Sequence, residues 1–376
     1  MNNLIDYVNW RGDLSFDVSP LNEIDLSCFT MLFALHFDGI IPENDDSMQL
    51  SEALEIYFSR RPEKEAGSEL GILEPKNAVP LARQMRDSER YSGIRVSGYR
   101  RRIREAYTEQ FGAVTLDLPG DLRLIVYLAT DDTIVGWKED FMLSVSGRLT
   151  AQNDALQYLE AAAVPGKRLI LAGHSKGGNL SLYAAIFADS TVQDRIVRAY
   201  SMDGPGFETA ILENEGYERI RRKLITIRSQ NSIIGMLLNA AGKCVTVRSG
   251  ASGPLAHDPF TWEVQRNRFN RTQKLSSSSL KFQHAISATL AHMSDRDRIT
   301  FINELFDLLA VDGAKTLTEV SKAKLLSRLE AAAKLKEKPE VVSFLREMLE
   351  EYLLPDSLKR IRLLAPSSHR PPSENR

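Results

Sequence analysis

At 376 residues, with 43% hydrophobic and 26% charged side chains, the chain has the material for a large apolar core and lies far from the composition of a disordered protein. Its formal charge of -2 excludes a general attraction to nucleic-acid phosphates, and the basic runs Arg100 to Arg104 and Arg219 to Lys223 are short, isolated and read as solvated faces. Two cysteines, Cys28 and Cys244, exclude a disulfide framework; the acidic start of the chain and the lack of any run of about 18 apolar residues lead to the expectation of a cytoplasmic protein with no transmembrane segment.

Residues 1–90 read as mostly helical, a cap or packing segment with apolar clusters around Cys28 to Phe37 and Leu50 to Phe58. Residues 91–265 form the core. Within them Ala113 to Leu118 and Leu122 to Leu128 are β-prone and are joined by Pro119, Gly120 and Asp121, which predicts a hairpin. Lys138 to Ala163 has helical spacing, Arg168 to Ala172 is a short apolar strand, and Lys176 to Ala188 is a helix with Leu180, Tyr183, Ala184 and Phe187 on one face. Ile196 to Met202, Leu224 to Arg228 and Cys244 to Arg248 complete a β-α alternation that predicts a mainly parallel sheet covered on both sides. Residues 266–355 read as a helical extension with two apolar stripes, Ile299, Ile302, Leu305, Phe306 and Leu309, then Val341, Leu345, Met348 and Leu349. Residues 356–376 end in a Pro- and Ser-rich tail that reads as disordered.

The run from Leu169 to Leu180 describes a buried strand, a sharp turn Gly173-His174-Ser175-Lys176-Gly177 and a helix. A turn of this kind strains the backbone at its central residue and tolerates only small residues two positions to either side, here Gly173 and Gly177. It marks Ser175 as a nucleophile, with the Lys176 backbone N–H opening the helix as an oxyanion donor. A phosphate cradle is the competing reading, but neither nucleotide fingerprint is met, and no cofactor or metal is expected. His174 reads as a framework residue because its side chain leaves the turn in another direction.

A serine needs a base, and in this arrangement the histidine follows the serine and the acid in chain order. Of the downstream histidines, His284 and His292 fall in helical sequence and His369 in the tail, whereas His257 occupies a loop directly after the last strand of the core. Asp203, at the end of Ile196 to Met202, is the leading acid; Asp258, another carboxylate, or a polar substitute such as Ser232 after Leu224 to Arg228 stay open. The second oxyanion donor is expected after Leu122 to Leu128, with Thr130 as the candidate against a simple polar turn that caps the Lys138 helix.

Taken together, Gly173 to Leu180, Ala129 to Asp140, Asp203 to Phe207, Ser232 to Met236 and His257 to Trp262 make the sequence resemble the class 3 lipases, and more closely an uncharacterised bacterial family related to them. The resemblance spans roughly residues 1–265 and implies an α/β-hydrolase core, Ser175 and His257 as triad members, and Thr130 in the oxyanion loop. Two departures accompany it. Relatives carry Phe-Arg-Gly-Thr where this chain has Tyr127 to Thr130, and class 3 lipases place their acid after the strand that corresponds to Leu224 to Arg228. The expected function is hydrolysis of a small-molecule or lipid-like carboxylic ester. Thioester hydrolysis or acyl transfer, and a non-catalytic interaction protein whose partner docks on the carboxy-terminal helices, are the alternatives.

Overall fold

The hairpin expected around Gly120 forms with this glycine at φ +76°, joining Glu109–Asp117 to Leu122–Tyr127 in antiparallel register. The computed structural model describes residues 2–61, 65–67, 70, 75–131, 133–146, 149–277 and 279–280, with short pieces between 294 and 319. An eight-stranded sheet runs through the described residues, with its strands adjacent in chain order. They are β1 (Met48–Gln49), β2 (Arg95–Arg104), β3 (Glu109–Asp117), β4 (Leu122–Tyr127), β5 (Arg168–His174), β6 (Ile196–Met202), β7 (Leu224–Ser229) and β8 (Lys243–Val247). β1 to β4 pair antiparallel and β4 to β8 parallel, so the architecture is α/β with a mixed sheet whose parallel half carries the β-α alternation.

Side chains of the central strands alternate between two cores, as the two-residue period of a strand requires. Val114, Leu116, Leu124, Val126, Ile170, Ala172 and Met202 share one core with the amino-terminal helices α1 (Leu4–Arg11), α2 (Glu23–Leu32), α3 (Leu50–Arg60) and α4 (Ala78–Arg86), beyond which lies the single turn α5 (Glu89–Ser92). Ala113, Ile125, Tyr127, Leu169, Leu171 and Ala199 face the other way and share a core with residues of α7 (Thr150–Ala162) and α8 (Lys176–Phe187). The amino-terminal helices therefore form a packing layer on one sheet face.

Three expectations need correction. The helical stretch from Lys138 to Ala163 is two helices, α6 (Ile134–Ser146) and α7, and α6 starts four residues before the expected point. Helix α8 was expected to bury one face, but Gly177 through Ile186 are all buried because it lies between the sheet and α7. The run Arg100 to Arg104 is part of β2, not a plain solvated face. Its charges are balanced by acids: Arg101 pairs with Asp131 at 2.9 Å and Arg104 with Glu109 at 2.7 Å and Asp154 at 2.8 Å.

In the carboxy-terminal extension Ile302 and Phe306 are buried and Ile299 is exposed; Leu305, Leu309, the stripe Val341 to Leu349 and the tail lie outside the described residues. A described piece of the extension reaches back to α6, where the Ile134 N–H donates to the Lys315 carbonyl at 2.9 Å and Lys138 meets Asp307 at 3.6 Å. Among the described residues no helix is long and apolar enough to cross a membrane.

The amino-terminal layer is riveted by a buried ion pair. Asp25 accepts from Arg90 Nε at 2.8 Å and Nη2 at 2.6 Å and from the Tyr91 hydroxyl at 2.7 Å, while Arg90 Nη1 also donates to the Leu14 and Ser19 carbonyls. Both charged side chains are wholly shielded from solvent. Arg90→Met leaves the Asp25 charge buried and unpaired and is expected to cost about 3–5 kcal/mol in urea unfolding, whereas Asp25→Leu with Arg90→Met should recover much of that loss.

Candidate active site

Four loops meet at the carboxyl ends of the parallel strands: Thr130 follows β4, Ser175 follows β5, Asp203 follows β6, and His257 lies in the loop after β8. Ser175 has φ 55° and ψ -127°, a conformation costly for a residue with a Cβ, by about 1–3 kcal/mol. Its backbone is held on both sides. The Ser175 N–H donates to the Met202 carbonyl at 3.0 Å, and its carbonyl accepts from Gly178 at 2.9 Å and Asn179 at 3.3 Å. A Cβ on Gly173 would lie 2.1 Å from the Gly177 carbonyl oxygen, and one on Gly177 would lie 2.2 Å from the Tyr127 oxygen, so both positions admit only glycine. Between the buried His174 and Lys176, Ser175 keeps partial access to solvent.

His257 closes a short 3-10 turn, Gly253–His257, and its Nδ1 donates to Asp203 Oδ2 at 2.8 Å, which leaves Nε2 to accept a proton. Asp203 is fully buried, with φ 51°, and is fixed by its own N–H on the Ile227 carbonyl at 2.7 Å and by the Ser229 N–H on its Oδ1 at 3.4 Å. Asp258, the rival acid, spends Oδ1 on the Phe260 N–H at 2.9 Å, and burial pushes its carboxyl up to about 6. Ser232 accepts from the Gly235 N–H at 2.9 Å. The histidine loop is anchored from below by Trp262, whose buried indole N–H donates to the Ala256 carbonyl at 2.9 Å.

His174 supports the same loop from the side. Its Nε2 donates to the His257 carbonyl at 2.9 Å, and the two ring centroids lie 4.4 Å apart with the planes tilted by 37°. Burial and the neighbouring His257 hold His174 well below the ordinary histidine range, against the opposing pull of that hydrogen bond. The framework role expected from its position agrees with this geometry.

As the first residue of α8, Lys176 presents a backbone N–H with no intrahelical acceptor. Across from it, the Thr130 hydroxyl donates to Asp140 Oδ2 at 2.5 Å. Burial raises the Asp140 carboxyl to about 6, with nearby Lys176 opposing the shift. The α6 cap is taken by Thr133, whose Oγ1 accepts from the Gly136 N–H at 3.1 Å, so Thr130 is not the capping residue. Three contributors escaped the sequence reading. The Lys176 side chain, assigned no part there, forms a buried ion pair with Glu139 at 2.9 Å and donates to the Gln110 carbonyl at 2.8 Å. Glu139 stood inside a motif already singled out, while Gln110 at the start of β3 had no local signal at all.

A strand, a strained serine turn and a helix, with a histidine and a carboxylate converging from later strand ends, define an α/β-hydrolase core. The Mbeg1-like family model matches residues 85–307, and the chain belongs to that family. Among solved structures it is similar to one titled "Crystal structure of M37 lipase", with 15% identity and a TM-score of 0.30 over 50% of this chain and 69% of that chain. No curated protein matches it.

Because His174 stays neutral in the fold and gains a proton on unfolding near pH 6.5, the unfolded state binds more protons below that pH, and stability falls as the medium is acidified. His174→Gln removes that proton uptake. Its melting temperature is expected to fall less steeply than the parent's between pH 6.5 and 5; parallel curves for the two proteins would show that His174 does not titrate this way.

Proposed function

We propose that the protein is a serine hydrolase that cleaves carboxylic esters through an acyl-enzyme, with Ser175 as nucleophile, His257 as base and Asp203 as the acid that orients it. The observation that carries this reading is the 2.8 Å bond between His257 Nδ1 and buried Asp203, at the same sheet edge as a serine held at positive φ. In the first step His257 Nε2 takes the Ser175 proton as Oγ attacks the ester carbonyl, and the oxyanion is received by the Lys176 N–H and by Thr130. The imidazolium then protonates the leaving alcohol. Water, activated by the same imidazole, releases the acid and restores the serine. The Asp203 carboxylate keeps the tautomer that makes Nε2 basic and stabilises the imidazolium when it forms.

A lipid-like ester is the substrate class that the sequence resemblance to class 3 lipases implies, and a cytoplasmic location fits a chain whose two cysteines are free thiols, one buried and one exposed.

A fluorophosphonate should add one adduct mass to the parent protein and none to Ser175→Ala; equal labelling of the two would remove Ser175 from the mechanism. On a panel of p-nitrophenyl esters, Asp203→Asn should lower kcat by on the order of 10³ to 10⁴, as the loss of the orienting carboxylate does elsewhere. Asp258→Asn should stay within about tenfold of the parent, since Asp258 bonds to a backbone amide and not to the imidazole. Near-parental turnover in Asp203→Asn would reject the assignment.

A further inference from the structure

The geometry points to the side chains of Lys176, Gln110 and Glu139 as a positioning device that holds the two oxyanion donors in fixed relation to each other. This rests on the hydrolase reading above and adds to it the residues that would make the oxyanion site rigid. The Lys176 ammonium has three protons, and three acceptors receive them: the Gln110 carbonyl at 2.8 Å, the Gln110 side-chain oxygen, and Glu139 Oε2 at 2.9 Å. With every proton committed, the ammonium is not itself a donor to substrate. An ammonium can only donate, so it dictates which end of the Gln110 amide faces it, and Nε2 is left to donate to the Ala129 carbonyl at 3.3 Å. Ala129 directly precedes Thr130.

Glu139 ties a second strand of the same network. Its Oε2 also accepts the Gln110 N–H at 3.0 Å and its Oε1 the Ala151 N–H at 3.4 Å, while the next residue, Asp140, receives the Thr130 hydroxyl. One residue thus offers its backbone N–H at the start of α8 and, through its own side chain, anchors the loop that bears the opposing donor. The helix and loop also touch directly, since Gly177 backs onto the Tyr127 and Leu128 carbonyls.

Stability alone does not account for the pair. A buried ion pair costs enough desolvation that apolar side chains of similar volume would serve the fold about as well. Preorganised donors are the recognised return for such rigidity, because donors already aimed at the developing charge need no reorganisation during the reaction, and a shift of about 1 Å can cost a hundredfold in rate.

Two full-length variants test this. Gln110→Met keeps length and apolar volume but deletes the amide that reaches Ala129; Lys176→Met with Glu139→Met removes both partners of the ion pair together, so neither is left as the other's orphan charge. In each, kcat on p-nitrophenyl esters should fall about 10- to 100-fold with KM within twofold, and amide exchange over residues 127–131 should quicken while that over 168–174 stays at the parental rate. A core-packing role would predict lost stability without this split. Parental kcat in both folded variants, or unchanged exchange over 127–131, would overturn the proposal. Failure of the hydrolase reading is seen separately, as a parent protein that neither labels at Ser175 nor turns over any ester; faster exchange in the variants would then support the tether, and parental exchange would overturn it.

Discussion

Backbone atoms of β4, β5 and α8 come closer together than any side chain allows, and the rest of the site is arranged around that contact. Gly173 lies against Gly177, and Gly177 against the carbonyls of Tyr127 and Leu128, at separations where a methyl group would overlap main-chain atoms. Ser175, between these contacts, is held at positive φ. The approach also brings the first N–H of α8 opposite the loop that leaves β4. The positions of the proposed nucleophile and oxyanion donors thus follow from one packing event, which the sheet hydrogen bonds on both sides of β5 stabilise.

The sequence made this contact legible because its cost is written in residue types: only glycine fits at two positions, and both are glycine. The parallel strands were equally clear: β5 is buried from Leu169 to His174, the short apolar run of a strand covered on both faces, and Ile196 to Met202 has the ends expected of it. What escaped was written in charge. β2 carries Arg95, Arg100, Arg101, Arg102 and Arg104, a composition that reads as a solvated surface unless Asp131, Asp154 and Glu109 are known to lie within reach. Gln110 was invisible for the same reason: its partners Lys176, Glu139 and Ala129 are far away in sequence. Long-range polar pairing has no period, so a single sequence contains no signal for it.

Two buried ion pairs among the described residues illustrate how the same chemistry can serve different ends. Asp25 and Arg90 lie in the amino-terminal layer, and the guanidinium's remaining protons go to the carbonyls of the Leu14 to Pro20 connection. That fork holds a stretch without regular structure against α2. Lys176 and Glu139 lie beside the loop that bears Ala129 and Thr130 instead, where a compact ammonium with freely rotating donors can satisfy three acceptors. A guanidinium fits the first setting and an ammonium the second.

In the class 3 lipases that the sequence resembles, the carboxylate follows the strand corresponding to β7; here the end of β7 holds Ser229, whose N–H is directed at Asp203, and Gly235 lies where a Cβ would come within 2.6 Å of the Asp203 carboxylate. The place vacated by a β7 acid is therefore filled by the walls of a β6 acid. A side chain at position 235 would collide with Asp203, and a bulkier residue at Ser232 would lose the hydroxyl that holds the Gly235 N–H. A carboxylate after β6 thus requires small residues on the neighbouring strand end, and Asp203, at positive φ, meets the His257 imidazole. Asp203, the walls around it and His257 form one unit of contacts, drawn from three of the segments that carry the sequence resemblance.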